Sequence, residues 1–131
     1  MFYSFKNAVF MRLCEFRNQL EKFYLGGYGA FDQMAAAAVW EQKAQHPNIA
    51  SVLVLPYLDR KVISEHYDYT TYPPLESVPK RFAISRRNRW MVDNSDILVA
   101  FVTHDWGGAA TTLKYAGRKK KEIIRYTEGS T

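Results

Sequence analysis

The sequence has only one cysteine, Cys14, among its 131 residues. A single thiol excludes an intramolecular disulfide and a thiolate cluster for zinc or iron–sulfur, so a reducing compartment is expected. The three histidines, His46, His66 and His104, lack the spacing of a metal site. No apolar run approaches the roughly 20 residues that span a bilayer, and no signal-like segment forms before Lys6 is reached. We therefore expect a cytoplasmic protein with no membrane contact, no metal and no cofactor.

Composition and charge favour one globular domain with an anionic partner. Hydrophobic residues make up 47% of the chain and charged residues 24%, which is typical of a single folded domain over residues 1–131. The net charge of +5 arises partly from two basic runs, at 86–89 and 118–121. Such runs are often solvated helix ends, but they also suit phosphates, including those of nucleic acid.

Helical and strand patterns alternate along the chain. Buried strands are predicted at residues 23–25, 50–56, 96–102 and 122–126. Helices are predicted at residues 5–22, 30–45, 80–94 and 110–116, the last closed by Gly117. Residues 57–79, with their tyrosines and prolines, predict a long irregular loop that serves as a lid or partner surface. This order predicts an α/β fold, a Rossmann-like three-layer domain whose mostly parallel sheet of about four strands is flanked by helices.

Two glycine-rich turns each join a predicted strand to a predicted helix. The glycines and their neighbour are Gly26, Gly27 and Gly29 after the first strand, and Gly107, Gly108 and Ala109 after the third. Such turns hold phosphates, because glycine lets the backbone come close and the helix N-terminus favours an anion. Glycine is also needed simply to reach a positive φ, and this alternative stays open. Neither turn has the dinucleotide G-x-G-x-x-G pattern or the P-loop pattern, so an ordinary NAD oxidoreductase or ATPase is not supported.

Four other side chains are candidate ligand contacts. Arg87 and Asn88 fall on or beside the core-facing stripe of their helix, where a guanidinium needs an anionic partner. That partner is either a bound phosphate or carboxylate, or else Asp32 or Glu76 in an internal salt bridge. Asp32 lies in the first turn of its helix, where it either complements the helix dipole or accepts a hydrogen bond from a ribose hydroxyl. Trp106 is the favoured aromatic residue for stacking on a base.

Four motifs in a fixed order resemble the SLOG superfamily. They are FYLGGYGAFD at 23–32, RNRWM at 87–91, SD at 95–96 and WGGA at 106–109. The superfamily unites DprA-like proteins, YpsA-like proteins and LOG phosphoribohydrolases on one Rossmann-like fold, and the resemblance spans about residues 20–126. YpsA-type relatives begin with a strand that leads into a Gly-His-Arg motif, which Met1–Phe5 does not contain. A strand and a ligand loop are therefore expected to be missing, and the sheet edge this leaves favours pairing into a homodimer.

The LOG resemblance implies an N-glycosidase, but the catalytic carboxylate of those enzymes is missing from the corresponding loop. LOG enzymes pair an arginine of an Arg-Lys-x-x-Met motif with a glutamate of a Gly-Gly-x-Gly-Thr-x-x-Glu loop. Arg87 matches the arginine, but Lys114 stands where the loop should have its glutamate. The oxocarbenium-like charge and the attacking water then lose their carboxylate, unless Asp32 or Glu76 replaces it.

Three functions follow from these residues. The first is a module that binds or senses a nucleotide or nucleotide-derived small molecule, with phosphate on the five turn glycines and Arg87 neutralising it. The second is an N-glycosidic hydrolase or transferase acting on a nucleoside monophosphate, which would release free base. The third is DprA-like binding of single-stranded DNA through Arg86, Arg89 and Lys119–Lys121, with an affinity that falls steeply with salt. The sequence assigns no catalytic residue.

Overall fold

The computed structural model describes residues 22–27, 29–44, 46–58, 66–102 and 104–126. Its chain divides into two compact units. The described part of the first unit comprises residues 22–54 and 66–71 with the gaps just given, and that of the second comprises 55–58 and 72–126. The helix predicted at residues 5–22 lies outside the described residues except at Lys22, which begins a strand instead. The expected absence of an N-terminal Gly-His-Arg strand also lies outside them.

The first unit is a parallel sheet with a helix against it. Its elements are strand β1 (Lys22–Leu25), helix α1 (Ala30–Gln42), strand β2 (Ala50–Val54) and strand β3 (Tyr69–Thr71). Strand β2 lies between β1 and β3 and is parallel to both, with Leu53 opposite Leu25 and Thr70. Residues 51–54 are all buried, as the continuous apolar run predicts for a strand in the middle of a parallel sheet.

Helix α1 forms from an alanine-rich segment that packs on this sheet. Alanine has the highest helix propensity of all residues. Ala36, Ala38 and Val39 are buried, and α1 contacts both β1 and β2. Short side chains therefore form the face that the helix buries. The helix ends at Gln42 and not at Gln45 as predicted.

The second unit contains two helices and a parallel strand pair. A single 3-10 turn, Lys80–Phe82, leads into helix α2 (Ala83–Asp93), strand β4 (Ile97–Phe101), helix α3 (Gly108–Arg118) and strand β5 (Glu122–Tyr126). Strands β4 and β5 are parallel, with Ile97 opposite Glu122. Helix α3 contacts both α2 and β4. The small hydrophobic core of the second unit contains Ala100, Val102 and Ala110, with Leu98 and Leu113 packed against them.

The α/β fold class predicted from the sequence is confirmed, since parallel strands alternate with helices in both units. Besides the end of α1, several details differ from the prediction, including the single sheet of about four strands that was expected. The loop expected at 57–79 contains the short strand β3, so the described strands number five, in sheets of three and two. Gly117 does not end α3, which continues to Arg118, and it is Lys120 that takes the left-handed conformation with φ of 58°. Among the described helices none is long and apolar enough to cross a membrane.

Candidate functional site

The first glycine turn, residues 26–29, joins β1 to α1. Gly27 has φ of 78° and Gly29 has φ of 106°, conformations that side-chain-bearing residues rarely adopt. A Cβ on Gly27 would lie 2.5 Å from Cδ1 of Leu53, and the side chain of Gln33 donates to the Gly27 carbonyl at 3.1 Å. Gly27 is therefore needed for the turn itself. Nothing lies within 4 Å of the point that a Cβ on Gly29 would occupy, and Gly26 is buried.

The start of α1 carries a negative charge. Gly29 is the N-cap, no side chain caps the helix, and Asp32 lies in the first turn. The carboxylate complements the helix dipole, but it also repels another anion at the same place. The Asp32 charge therefore disfavours a second anion close to this helix start.

Tyr67, which was not predicted as a site residue, lies against the first glycine turn. Its hydroxyl is 3.7 Å from the point that a Cβ on Gly27 would occupy. The oxygen is closed to solvent, and no described residue forms a hydrogen bond with it. Burial raises the pKa of Tyr67, and the charge of Asp32 raises it further. The phenol is therefore neutral at physiological pH and keeps its hydrogen as a donor.

Hydrogen bonds on both sides of Tyr67 tie it to β2, in what we call the Ser51–Asp68 clip. The Ser51 hydroxyl donates to the His66 carbonyl at 2.8 Å, and the Asp68 N–H donates to the Ser51 carbonyl at 2.8 Å. The Asp68 carboxylate accepts from the Ser51 N–H at 2.7 Å and from the ammonium of Lys43. Burial alone would raise the pKa of Asp68, but the hydrogen bonds from Lys43 and Ser51 and the Lys43 charge outweigh burial and lower it. The backbone before and after Tyr67 is thus held in place.

The second glycine turn, residues 104–109, joins β4 to α3. Gly107 has φ of 93° and is the N-cap of α3, and no side chain caps this helix either. The first turn of α3 has no acidic residue, in contrast to α1. Gly107, Gly108 and Ala109 are exposed, and nothing lies within 4 Å of a Cβ placed on either glycine. This helix start is exposed and has no acidic residue in its first turn, although the exposed Asp105 lies two residues before its N-cap.

A lysine and a tryptophan flank the second glycine turn. The Lys114 ammonium donates to the Asp105 carbonyl at 3.2 Å, so a positive charge lies at the turn. Lys114 was not predicted as a site residue, although its place at the LOG glutamate position was a signal. Trp106 is 69% exposed and stacks on His104, with ring centroids 4.7 Å apart and planes inclined by 21°. The predicted aromatic residue therefore presents most of its surface to solvent.

Arg87 is buried in α2, with 3% of its surface exposed. Its Nε–H donates to the side-chain oxygen of Asn88 at 2.9 Å, so the neighbouring amide helps to orient the guanidinium. The core-facing position that the helical spacing predicts for Arg87 is confirmed. Arg87, Asn88, Trp106 and the second glycine turn belong to the second unit, whereas Asp32 and the first glycine turn belong to the first. The predicted site residues thus fall into two groups.

Basic residues of α2 and of the C-terminal end of α3, including its C-cap Lys119, surround the ring of Tyr115, and we call them the Tyr115 cluster. The charged groups of Arg89, Lys119 and Arg118 lie 5.3, 5.6 and 5.8 Å from the ring centroid. The Tyr115 hydroxyl donates to Asp93 at 2.7 Å, and the Lys119 ammonium is 3.7 Å from the same carboxylate oxygen. The two basic runs of the sequence therefore meet around an aromatic ring, which their spacing alone did not show.

A cleft of about 250 Å³ lies in the segment predicted to be a lid or partner surface. Tyr57 and Tyr72 line it together with Glu76 and Lys80, and the Lys80 ammonium is 5.2 Å from the Tyr57 ring centroid. Glu76, one of the predicted alternatives for a catalytic carboxylate, is exposed here. Across the ranges that the structure describes, no three His, Cys, Asp or Glu side chains gather as metal ligands.

Comparison with known proteins identifies similar proteins, but their name does not state an activity. No protein-family model matches the chain. The chain is similar to UPF0398 proteins of Bacillus cereus strain B4264 and strain ATCC 14579. Each is 24% identical to this chain over an alignment of 137 residues. The alignment includes 92% of this chain and 73% of the relative. The name UPF0398 states no activity, substrate or partner, so the similarity relates this chain to those proteins without saying what it binds.

Proposed function

We propose that this protein binds a nucleotide or a nucleotide-derived small molecule and that the second glycine turn holds its phosphate. The start of α3 is the observation that carries this proposal, because it lacks both a side-chain cap and an acidic residue in its first turn. Backbone N–H groups and the helix dipole stabilise an anion at such a place. The Lys114 ammonium adds a positive charge, and the exposed ring of Trp106 offers a stacking surface for a base.

Arg87 is a second contact to phosphate in this proposal. It belongs to the same unit as the second glycine turn, and Asn88 accepts from its Nε. A planar guanidinium binds phosphate through paired hydrogen bonds, and positioning by Asn88 reduces the entropy lost on binding. Asp32 and the first glycine turn belong to the other unit, and their ligand contacts stay predictions.

Membership of the SLOG superfamily is part of the same proposal, carried by its four ordered motifs. Within that superfamily we favour binding or sensing over LOG-type cleavage, because Lys114 brings a positive charge where those enzymes use a carboxylate. Homodimer formation and a cytoplasmic location stay predictions. So does the assignment of residues 1–131 to one domain.

A thermal-shift screen against nucleotides, nucleotide sugars and inorganic phosphate tests the proposal, since a specific ligand raises the melting temperature by mass action. Mass spectrometry of each mixture then shows whether the ligand stays intact. Lys114→Gln should weaken binding by roughly tenfold, the usual effect of losing one charged hydrogen bond. Lys22→Gln removes the same charge from an exposed position on β1 and should leave affinity unchanged.

The outcomes separate the two nucleotide hypotheses. A melting shift with intact ligand supports a binding or sensing module, whereas release of free base identifies an N-glycosidase. Equal affinities of Lys114→Gln and Lys22→Gln would place the phosphate elsewhere. If none of these ligands raises the melting temperature, the nucleotide proposal is wrong.

Binding of single-stranded nucleic acid is a second candidate, favoured by the Tyr115 cluster. Three cations lie within 6 Å of one ring, and Asp93 is paired with Lys119 of the cluster. Nucleic-acid phosphates would neutralise the remaining charge and release counterions. The neighbouring Arg86 and Lys120–Lys121 extend this positive surface in the sequence.

Fluorescence anisotropy with a labelled oligonucleotide of about 20 nucleotides, titrated at several salt concentrations, tests this candidate. The affinity should fall steeply with salt, and the combined change Arg89→Ala and Arg118→Ala should make that dependence shallower by about 0.7 per lost contact in a log–log plot. Lys22→Ala removes one positive charge from β1, outside the cluster, and should leave the salt dependence unchanged. Binding that is strong yet nearly independent of salt would contradict an electrostatic surface.

A further inference from the structure

Asp93 places a carboxylate beside the Tyr115 cluster, at an unfavourable position in its own helix. It is the last residue of α2, and this helix has no basic residue in its last turn. The free carbonyl groups at a helix C-terminus form the negative end of the helix dipole, so a carboxylate there destabilises the helix. The Asp93 side chain is also 43% exposed. The stability of α2 therefore does not explain why an acidic residue ends it.

Asp93 has two contacts with α3 and its C-cap, and they depend on different properties of the side chain. One carboxylate oxygen accepts from the Tyr115 hydroxyl at 2.7 Å and lies 3.7 Å from the Lys119 ammonium. The contact with Tyr115 needs only a side-chain oxygen, which asparagine also has. The contact with Lys119 needs the charge. It is longer than a hydrogen bond, and the Lys119 side chain is 52% exposed, so this ion pair is weak and easily exchanged.

The Lys119 ammonium therefore lies between a carboxylate and the surface that a nucleic-acid strand would contact. Like a phosphate, Asp93 is an anion, so it neutralises part of the Lys119 charge and repels a phosphate that comes near. We propose that Asp93 competes with nucleic-acid phosphate for Lys119 and in this way limits the affinity of the Tyr115 cluster for a single strand. This inference rests on the second candidate function, nucleic-acid binding, and identifies the residue that sets its strength.

The exchange at Lys119 predicts how affinity depends on salt. When a strand binds, the ammonium of Lys119 leaves Asp93 for a phosphate, while Asp93 keeps the hydrogen bond from Tyr115. The carboxylate stays beside the bound strand, so one unit of the positive charge of the cluster remains offset. Because the salt dependence grows with the number of phosphates that the protein neutralises, removal of the Asp93 charge should make it steeper.

Asp93→Asn tests the inference by fluorescence anisotropy with a labelled single strand of about 20 nucleotides. The affinity should rise by about fivefold, the upper range for one exposed ion pair. The slope of affinity against salt in a log–log plot should become steeper by about 0.7. Urea unfolding should show a midpoint equal to or above that of the wild type, since the amide keeps an oxygen for Tyr115 and the helix end loses a carboxylate.

Two further variants separate local competition from a general change in net charge. Glu76→Gln also replaces an exposed carboxylate with an amide and should leave the affinity unchanged. It lines the cleft with Lys80, before α2 begins, whereas Asp93 ends this helix of 11 residues, which is about 16 Å long. In a Lys119→Gln background, Asp93→Asn should raise the affinity by about twofold or less, because the ammonium for which the two anions compete is gone.

The outcomes distinguish this inference from the binding on which it rests. Equal affinities of Asp93→Asn, Glu76→Gln and the wild type would overturn the inference while nucleic-acid binding stands. So would the same gain with and without Lys119. Weaker binding by Asp93→Asn together with a lower urea midpoint would show that Asp93 orders the cluster, which is the opposite role. If neither the wild type nor Asp93→Asn binds the strand, the second candidate function is wrong and the inference fails with it.

Discussion

Replacing Asp68 tests how β3 is held beside β2. The Asp68 carboxylate accepts from the N–H of Ser51 at 2.7 Å, and Ser51 is 0% exposed. Asp68→Ala leaves that buried N–H unpaired, at a cost of about 1–3 kcal/mol. The Asp68–Lys43 ion pair, with side chains 28% and 23% exposed, adds only about 0–1 kcal/mol. We expect Asp68→Ala to lower the free energy of unfolding by about 2 kcal/mol, most of it from Ser51.

Asp68→Asn separates the hydrogen bond from the charge. The amide keeps an oxygen that can accept from Ser51, so this variant should lose about 1 kcal/mol or less. The folded-state pKa of Asp68 is lowered, so its charge stabilises the fold fully above the unfolded value of about 3.9 and this contribution disappears as pH falls through the folded value. The stability difference between wild type and Asp68→Asn should therefore be present at pH 7 and shrink below about pH 4.

Urea unfolding followed by circular dichroism measures both variants, at pH 7 and at several lower pH values where the protein still folds. Equal losses for Asp68→Ala and Asp68→Asn would refute the argument, because they would show that the Ser51 N–H does not depend on an oxygen at position 68. A difference between wild type and Asp68→Asn that stays constant down to pH 3 would refute the part assigned to charge.

Two pairs of substitutions to or from glycine give further stability predictions, each measured by urea unfolding. Lys120→Gly should raise the free energy of unfolding by about 1 kcal/mol, because Lys120 has a φ of 58° that glycine adopts more easily. Lys119→Gly should lower it by a similar amount, because Lys119 has an ordinary φ of −82°. Gly27→Ala should cost at least about 2 kcal/mol through its positive φ and the contact with Leu53. Gly117→Ala, inside α3, should gain about 0.5–1 kcal/mol. A stable Gly27→Ala or a destabilised Lys120→Gly would contradict these conformations.

Local pattern predicted most of the regular structure. The apolar run before Pro56 is buried as β2, the alanine-rich segment forms α1, and the predicted final strand has the same bounds as β5. These elements follow from side-chain periodicity and helix propensity, which depend on near neighbours in the chain. The burial of Arg87 followed in the same way from its place on the stripe of α2.

The end of α3 shows where local pattern was not enough. Gly117 was expected to close the helix, since glycine favours that position. In the structure the N–H groups of Lys120 and Lys121 donate to the carbonyls of Gly117 and Ala116, at 3.0 and 3.1 Å. These bonds close the helix with Lys120 in the left-handed position, so hydrogen bonding at the helix end decided the boundary against the usual residue preference.

Some candidate site residues could be predicted from local pattern, and others could be recognised only in the folded chain. The glycine turns, Trp106 and Arg87 were found from the sequence because each belongs to a short motif, and the ligand roles assigned to them stay predictions. Tyr67 and Lys114 could not be identified as candidate site residues from a short motif. Tyr67 gains its significance from contact with Gly27, 40 positions earlier in the printed sequence, and Lys114 from a bond to a turn carbonyl in the folded chain.

By itself, the sequence determined the α/β class, the order of its main elements and the two glycine turns, because periodicity, propensity and positive-φ requirements are properties of neighbouring residues. Only the tertiary structure decided that Tyr69–Thr71 forms a strand, since those residues carry little apolar pattern and are held through Asp68 and the buried N–H of Ser51. It also decided that the ammonium of Lys114 donates to the carbonyl of Asp105 in the second glycine turn, a contact that the sequence pattern did not predict.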